Sequence, residues 1–159
     1  MTTIVVGPSE ALSQALIATC DHVVAIDDNS DDAMWATLVA LQAAHSSMHG
    51  RIVLVLPTIG IAGAAGAVDY TTAIEGIRAM VKSAARQWAS QGIAVNIVAA
   101  PAHLFTRNVD TSHLSAAAVP DGGHLIHSVA QTVEFLLRDD LRHLTGETIV
   151  VDGGSVMLP

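Results

Sequence analysis

Residues 51–98 constrain this chain more than any other stretch, because they read as strand, glycine-rich loop, long helix and strand in direct succession. Residues 52–56, IVLVL, are an unbroken aliphatic run without polar alternation, the pattern of a strand buried on both faces. Pro57 stops the run, and Gly60, Gly63 and Gly66 are expected to break regular structure after it. Across residues 67–90 the apolar positions Ile74, Ile77, Val81, Ala84, Ala85 and Trp88 recur at helical spacing, and Gly92 is placed to end that helix. Residues 93–99 form a second buried strand. A strand, a crossover helix and a parallel strand make a right-handed βαβ unit, so the spacing predicts an α/β fold.

The flanking segments extend the same alternation. Residues 3–6 and 22–26 read as strands and residues 10–19 as a helix, with Pro8 or Ser9 as its cap. Residues 31–48 read as a helix with an apolar face through Met34, Leu38, Leu41 and His45. Residues 102–123 are irregular, residues 128–137 helical, and residues 147–151 the last strand. The whole predicts a parallel sheet of about five strands flanked by helices, in one domain over residues 1–159.

Composition narrows the function. Hydrophobic residues make up 51% of the chain and mean hydropathy is +0.48, which suits a doubly covered sheet or an oligomer. Seven basic against 15 acidic residues give a net charge of −8, which argues against nucleic acid or an anionic membrane surface as a partner. Cys20 is the only cysteine; it reads as a small buried hydrophobe, and a chain with no disulfide framework suits a reducing cytoplasm. The N-terminus lacks the basic and apolar regions of a signal peptide, and Pro57 with its following glycines argues against a membrane span over residues 52–68. His45 and His49, Asp28 and Asp32, and His124 and His127 have suggestive spacings but no ligand set, so no metal site is expected. Asp27 and Asp28, just past a strand, read as solvated loop carboxylates.

The run Tyr70, Ala73, Gly76, Lys82-Ser83-Ala84, Arg86, Gly92-Ile93 and Val95-Asn96, with LTGETIVVDGG at residues 144–154, resembles the short-chain dehydrogenase/reductase family, especially its β-ketoacyl-reductase branch. The resemblance covers residues 50–101 and 127–154 and implies a truncated Rossmann-like sheet. It also implies a dinucleotide fingerprint, TGxxxGxG, after the first strand. Here that place reads Gly7-Pro8-Ser9-Glu10, with one glycine and a carboxylate where a pyrophosphate would sit. The family's NNAG is also missing; Ala25-Ile26-Asp27-Asp28 stands nearest.

The resemblance further implies a tyrosine that moves a proton, a lysine four residues later that lowers its pKa, and a serine thirteen residues earlier that holds the substrate oxygen. Tyr70 stands on the tyrosine, but the lysine place is Ile74 and the serine place is Pro57, with Thr58 one residue on. A phenol with a pKa near ~10 is a poor base without that help. Lys82, twelve residues past Tyr70, lies roughly 18 Å along the helix and cannot supply it. Tyr70 is therefore expected to be vestigial, with no cofactor held by this chain and NAD(P) carried by a partner.

In the family, two long helices, here residues 31–48 and 67–90, pack against a neighbour's pair, and the last helix and strand form a second interface. These surfaces survive. The expectation is a non-catalytic subunit that joins a full-length, active short-chain dehydrogenase, or another copy of itself, acting on a hydroxyacyl- or ketoacyl-CoA type substrate. A mixed dehydrogenase acting on 2-[hydroxy(phenyl)methyl]succinyl-CoA is similar in kind. Two alternatives are a homo-oligomeric module that holds an acyl or aromatic ligand under residues 102–123, and a minimal NAD(P)-dependent reductase using Tyr70.

Overall fold

A computed structural model describes residues 1–28, 32–47 and 50–157. Five strands, β1 (Thr2–Val6), β2 (Val23–Ile26), β3 (Arg51–Pro57), β4 (Ala94–Ala100) and β5 (Thr148–Val150), form one sheet in the order β2-β1-β3-β4-β5. Every neighbouring pair is parallel. Helices α1 (Glu10–Thr19), α2 (Ala33–Ser47), α4 (Val68–Trp88) and α5 (Leu125–Leu136) cover it, and a one-turn helix, α3 (Ile59–Ala62), follows β3.

The aliphatic runs divide between two cores because successive side chains on a strand point to opposite faces. Ile52, Leu54 and Leu56 join Ile4, Ile77 and Val81 beneath α2 and α4. Val53 and Val55 join Leu12, Leu16, Val129 and Val133 beneath α1 and α5. β3 and β4 are buried at every position, which explains their lack of polar alternation. The long helix buries Ile74, Ile77, Val81, Ala84, Ala85 and Trp88, the stripe read from the sequence, together with Tyr70, and Gly92 at φ +78° ends the 3-10 turn Ala89–Gln91 that follows it.

Three local expectations are corrected. The glycines after Pro57 do not abolish regular structure: Ile61 and Ala62 donate to the Thr58 carbonyl and Gly63 to that of Ile59, closing the turn of α3. Gly60 is there because a Cβ would stand 2.5 Å from Ile74 of α4. Helix α5 begins at Leu125 and not at residue 128, because Asp121 Oδ1 accepts from the amides of Gly123 and Leu125 and turns the chain early. Helix α2 buries Ala33, Thr37, Leu41 and Ala44, so only Leu41 of the expected face is core. Met34 packs against Gly76 of α4, and His45 stacks on Trp88 at 4.5 Å. Residues 31, 48 and 49, which include the expected ends of this helix and one histidine of the His45–His49 pair, lie outside the described residues.

Connections after β1 and after β3 leave the sheet toward opposite edges. Their divergence makes a crevice at the carboxyl ends of β1 and β3, the place where open doubly wound sheets take ligands.

Candidate functional site

The crevice is filled by the protein itself. Gly7 ends β1 in a left-handed conformation, φ +65°, and a Cβ there would stand 2.2 Å from the carboxyl group of Asp28. Asp28 closes β2 and is only 4% exposed, so it is not the solvated loop carboxylate expected; Asp27 beside it is exposed. Two hydroxyls make the burial tolerable. Tyr70 donates to Asp28 Oδ2 at 3.3 Å and Thr106 to Oδ1 at 2.8 Å.

The chain after β4 seals the crevice from above. Thr106 donates through its amide to the Gly7 carbonyl at 2.7 Å, and its hydroxyl approaches the same oxygen at 3.2 Å. Ser9 donates its amide to the Leu104 carbonyl, and Pro8 bridges Phe105 in antiparallel fashion. At the start of α1 the Ser9 hydroxyl accepts from the Leu12 amide, and Glu10 stands in the first turn.

Tyr70 is 4% exposed. Burial, then the charge of Asp28 and the hydrogen bond to it, raise its pKa above the ordinary tyrosine value, while Arg107 opposes the shift. The Arg107 guanidinium lies 4.7 Å above the Tyr70 ring and pairs with Asp69 at 3.0 Å. Ile74, which the resemblance set on the lysine place, is a core residue at 1% exposure, and Pro57, which it set on the serine place, is part of β3. The exposed Lys82 lies further along α4. Asp28 stands out in the sequence but reads there as solvated, and Thr106 and Arg107 escape the sequence reading because they sit in a stretch with no periodicity at all.

These residues do not fit a dinucleotide. The space beside Gly7, where a pyrophosphate would need to approach the backbone, holds the Asp28 carboxylate. The first turn of α1 brings a second carboxylate and a serine already used as cap.

A second hollow opens one strand further on. A cleft of about 680 Å³ lies at the carboxyl ends of β3, β4 and β5, lined by Thr58, Pro101, Leu114, Val119, Leu125 and Val151 among others. It sits under the irregular segment expected to cover a ligand. Asp152 lies at its edge and is buried, but its oxygens accept from the amides of Gly154 at 2.8 Å and Val156 at 2.7 Å. Thr58 is 2% exposed, and its hydroxyl makes no capping bond to α3. Among the described residues no three His, Cys, Asp or Glu side chains gather as metal ligands do, and no helix is long and apolar enough to cross a membrane.

The parallel sheet, its two covering layers and the hollows at its carboxyl edge define a Rossmann-like α/β protein. The family profile described as Enoyl-(Acyl carrier protein) reductase matches residues 18–156. Over 139 residues the chain is 32% identical to the 3-oxoacyl-[acyl-carrier-protein] reductase FabG of Escherichia coli (strain K12), covering 84% of this chain and 57% of the reductase. The FabG of Vibrio cholerae is 36% identical over 116 residues, 69% of this chain and 47% of that protein. Among solved structures, a short-chain dehydrogenase/reductase from Serratia marcescens superposes with a TM-score of 0.68 at 17% identity, covering 96% of both chains. The landomycin C-6 ketoreductase LanV, with bound NADP and rabelomycin, gives 0.58 at 24% identity over 76% of this chain and 48% of that one. The chain belongs to the short-chain dehydrogenase/reductase family of oxidoreductases. It spans about half the length of the curated relatives it matches.

Proposed function

We propose that this chain is a non-catalytic member of its family, a subunit that assembles with a catalytically intact relative or with a second copy of itself. The observation that carries the reading is the engagement of Tyr70: its hydroxyl is buried against Asp28, with Ile74 and Pro57 where the family keeps its lysine and serine. A phenol whose pKa is raised holds its proton more tightly than a free one, so near neutral pH it is both a weaker acid and less available as a base. The crevice geometry supports the companion reading that NAD(P) is held by the partner.

The assembly reading rests on exposed apolar surface. On α2, Met34, Trp35 and Val39 are 41%, 64% and 47% exposed, with Met34 lying against Gly76 of α4. The docking surfaces are α2 and α4, with β5 at the far edge of the sheet as a second contact. By kinship with the FabG reductases, the complex acts on a ketoacyl or hydroxyacyl thioester, and a chain with one cysteine and no disulfide framework suits the cytoplasm. A second reading, a homo-oligomeric ligand-binding module, is favoured by the cleft of about 680 Å³ under residues 102–123.

Co-expression with a full-length relative from the same genome, followed by native mass spectrometry, tests the assembly. A mixed oligomer, and no NADPH fluorescence change for the isolated chain at millimolar nucleotide, are the expected results. Separate homomers that reduce a ketoacyl thioester with NADPH, and lose that turnover in Tyr70→Phe, would overturn the reading in favour of a minimal reductase.

A further inference from the structure

We infer that the β1/β3 crevice is an oxyanion site occupied by the protein's own side chain, with Asp28 as the internal ligand and the hydroxyls of Tyr70 and Thr106 as its donors. The inference concerns how the crevice is held shut. It stands on the contacts there, whether or not the chain assembles with a relative.

Three separate segments converge on this one carboxylate. Gly7 gives it room by having no side chain, and the space is so close that any Cβ would collide with it. The Tyr70 hydroxyl reaches it from the first turn of α4, and the Thr106 hydroxyl from the segment after β4. Arg107, lying over the Tyr70 ring, adds positive charge to that wall, partly answered by its ion pair with Asp69. Two hydroxyl donors and a nearby guanidinium around a glycine are the elements of an anion receptor, and a buried carboxylate is tolerated only where such donors meet it. The receptor is full because the anion is covalently attached.

The arrangement also works as a latch. Thr106 donates its amide to the Gly7 carbonyl and its hydroxyl to Asp28, so the strap of residues 104–106 is fastened both to the loop after β1 and, through this carboxylate, to the chain just past β2. Without Asp28 the strap keeps its backbone bonds but loses its side-chain anchor, and the vacated space matches a free carboxylate such as formate.

Asp28→Ala in the full chain is the test, read by thermal unfolding and by hydrogen exchange of the Ser9 and Thr106 amides. The expected result is a lowered Tm and exchange at those two amides faster by about tenfold or more. Sodium formate should reverse both changes, and sodium chloride at equal ionic strength should not. A folded variant in which formate does no more than chloride would overturn the inference.

Should Asp28→Ala fail to fold, Asp28→Asn keeps the shape and removes the charge. Tyr70 is the only tyrosine, so tyrosinate absorbance reports it alone. Its titration midpoint should fall by about one pH unit or more relative to the parent chain. An unchanged midpoint in the folded Asn variant would equally overturn the proposal.

Discussion

Two hollows stand side by side on the carboxyl edge of this sheet, and the sequence treats them in opposite ways. At β1/β3 the chain brings a glycine, an aspartate, a tyrosine and a threonine from four segments and fills the space with their mutual contacts. At β3–β5 it leaves a cleft of about 680 Å³. One stretch of chain serves both. Pro101, Ala102 and His103 line the open cleft, and Leu104, Phe105 and Thr106 turn the other way to fasten onto residues 7–9. The polar atoms of the crevice are paired with one another, whereas the cleft presents a threonine hydroxyl that its own helix does not use. Closure by polar side chains makes the first region a structural element. The second stays open.

If the closed region is structural, its residues should be costly to change even though only Tyr70 of them belongs to the hydrophobic core. Gly7→Ala is the most severe test. The substitution places a Cβ at φ +65° and drives it to within 2.2 Å of Asp28, so the loop after β1 must move or the carboxylate must leave. Strain and overpacking together should cost about 3 kcal/mol or more. Urea denaturation measures this directly. A loss under about 1 kcal/mol would mean that the crevice has room to spare and that the contrast with the cleft is overstated.

Tyr70→Phe is the intermediate case. It removes one donor from a buried carboxylate and leaves Thr106 as the other, at an expected cost of about 1.5 kcal/mol near neutral pH, given a rather long bond of 3.3 Å. The pH dependence carries the sign. Burial and Asp28 raise the phenol's pKa in the folded state, so the native chain keeps its proton where the unfolded chain releases it. That contribution is fully present below about pH 10, the unfolded value, and is lost as pH rises toward the folded one. The urea midpoints of parent and variant should therefore converge above about pH 10. A difference that stays constant with pH would show that the hydroxyl does not titrate in contact with Asp28.

How much of this could be read beforehand follows from what each residue's neighbours are in sequence. The βαβ unit was legible because burial on both faces leaves an unbroken aliphatic run in β3 and β4, and burial on one face leaves the Ile74–Ile77–Val81–Trp88 stripe in α4. Ile74 and Pro57 fall on the lysine and serine places by the fixed spacing of the resemblance, and the structure adds that one is a core residue of α4 and the other the last residue of β3. Asp28 was misread because a carboxylate after a strand looks solvated until its donors are known, and those donors lie 42 and 78 residues further along the chain. The face of α2 was misread by one position because Ala33 and Ala44 are small enough to approach the sheet, while the larger Met34 turns toward the space left by Gly76.

The smallest expected effect belongs to the cleft, at Thr58→Val. Thr58 is as buried as the residues of the crevice, at 2% exposure, so burial alone predicts a similar penalty for altering it. Its surroundings predict otherwise. The hydroxyl makes no cap bond to α3, and the residue lines the open volume. Replacing a hydroxyl that borders the open cleft by a methyl group of nearly the same size breaks no cap bond, so stability should change by no more than about 0.5 kcal/mol. Thermal unfolding of the two single variants, Thr58→Val and Tyr70→Phe, sets the regions against each other under one condition. A loss at Thr58 as large as that at Tyr70 would mean that the hydroxyl is paired in solution, and that the cleft is closed by its own polar contacts in the same manner as the crevice.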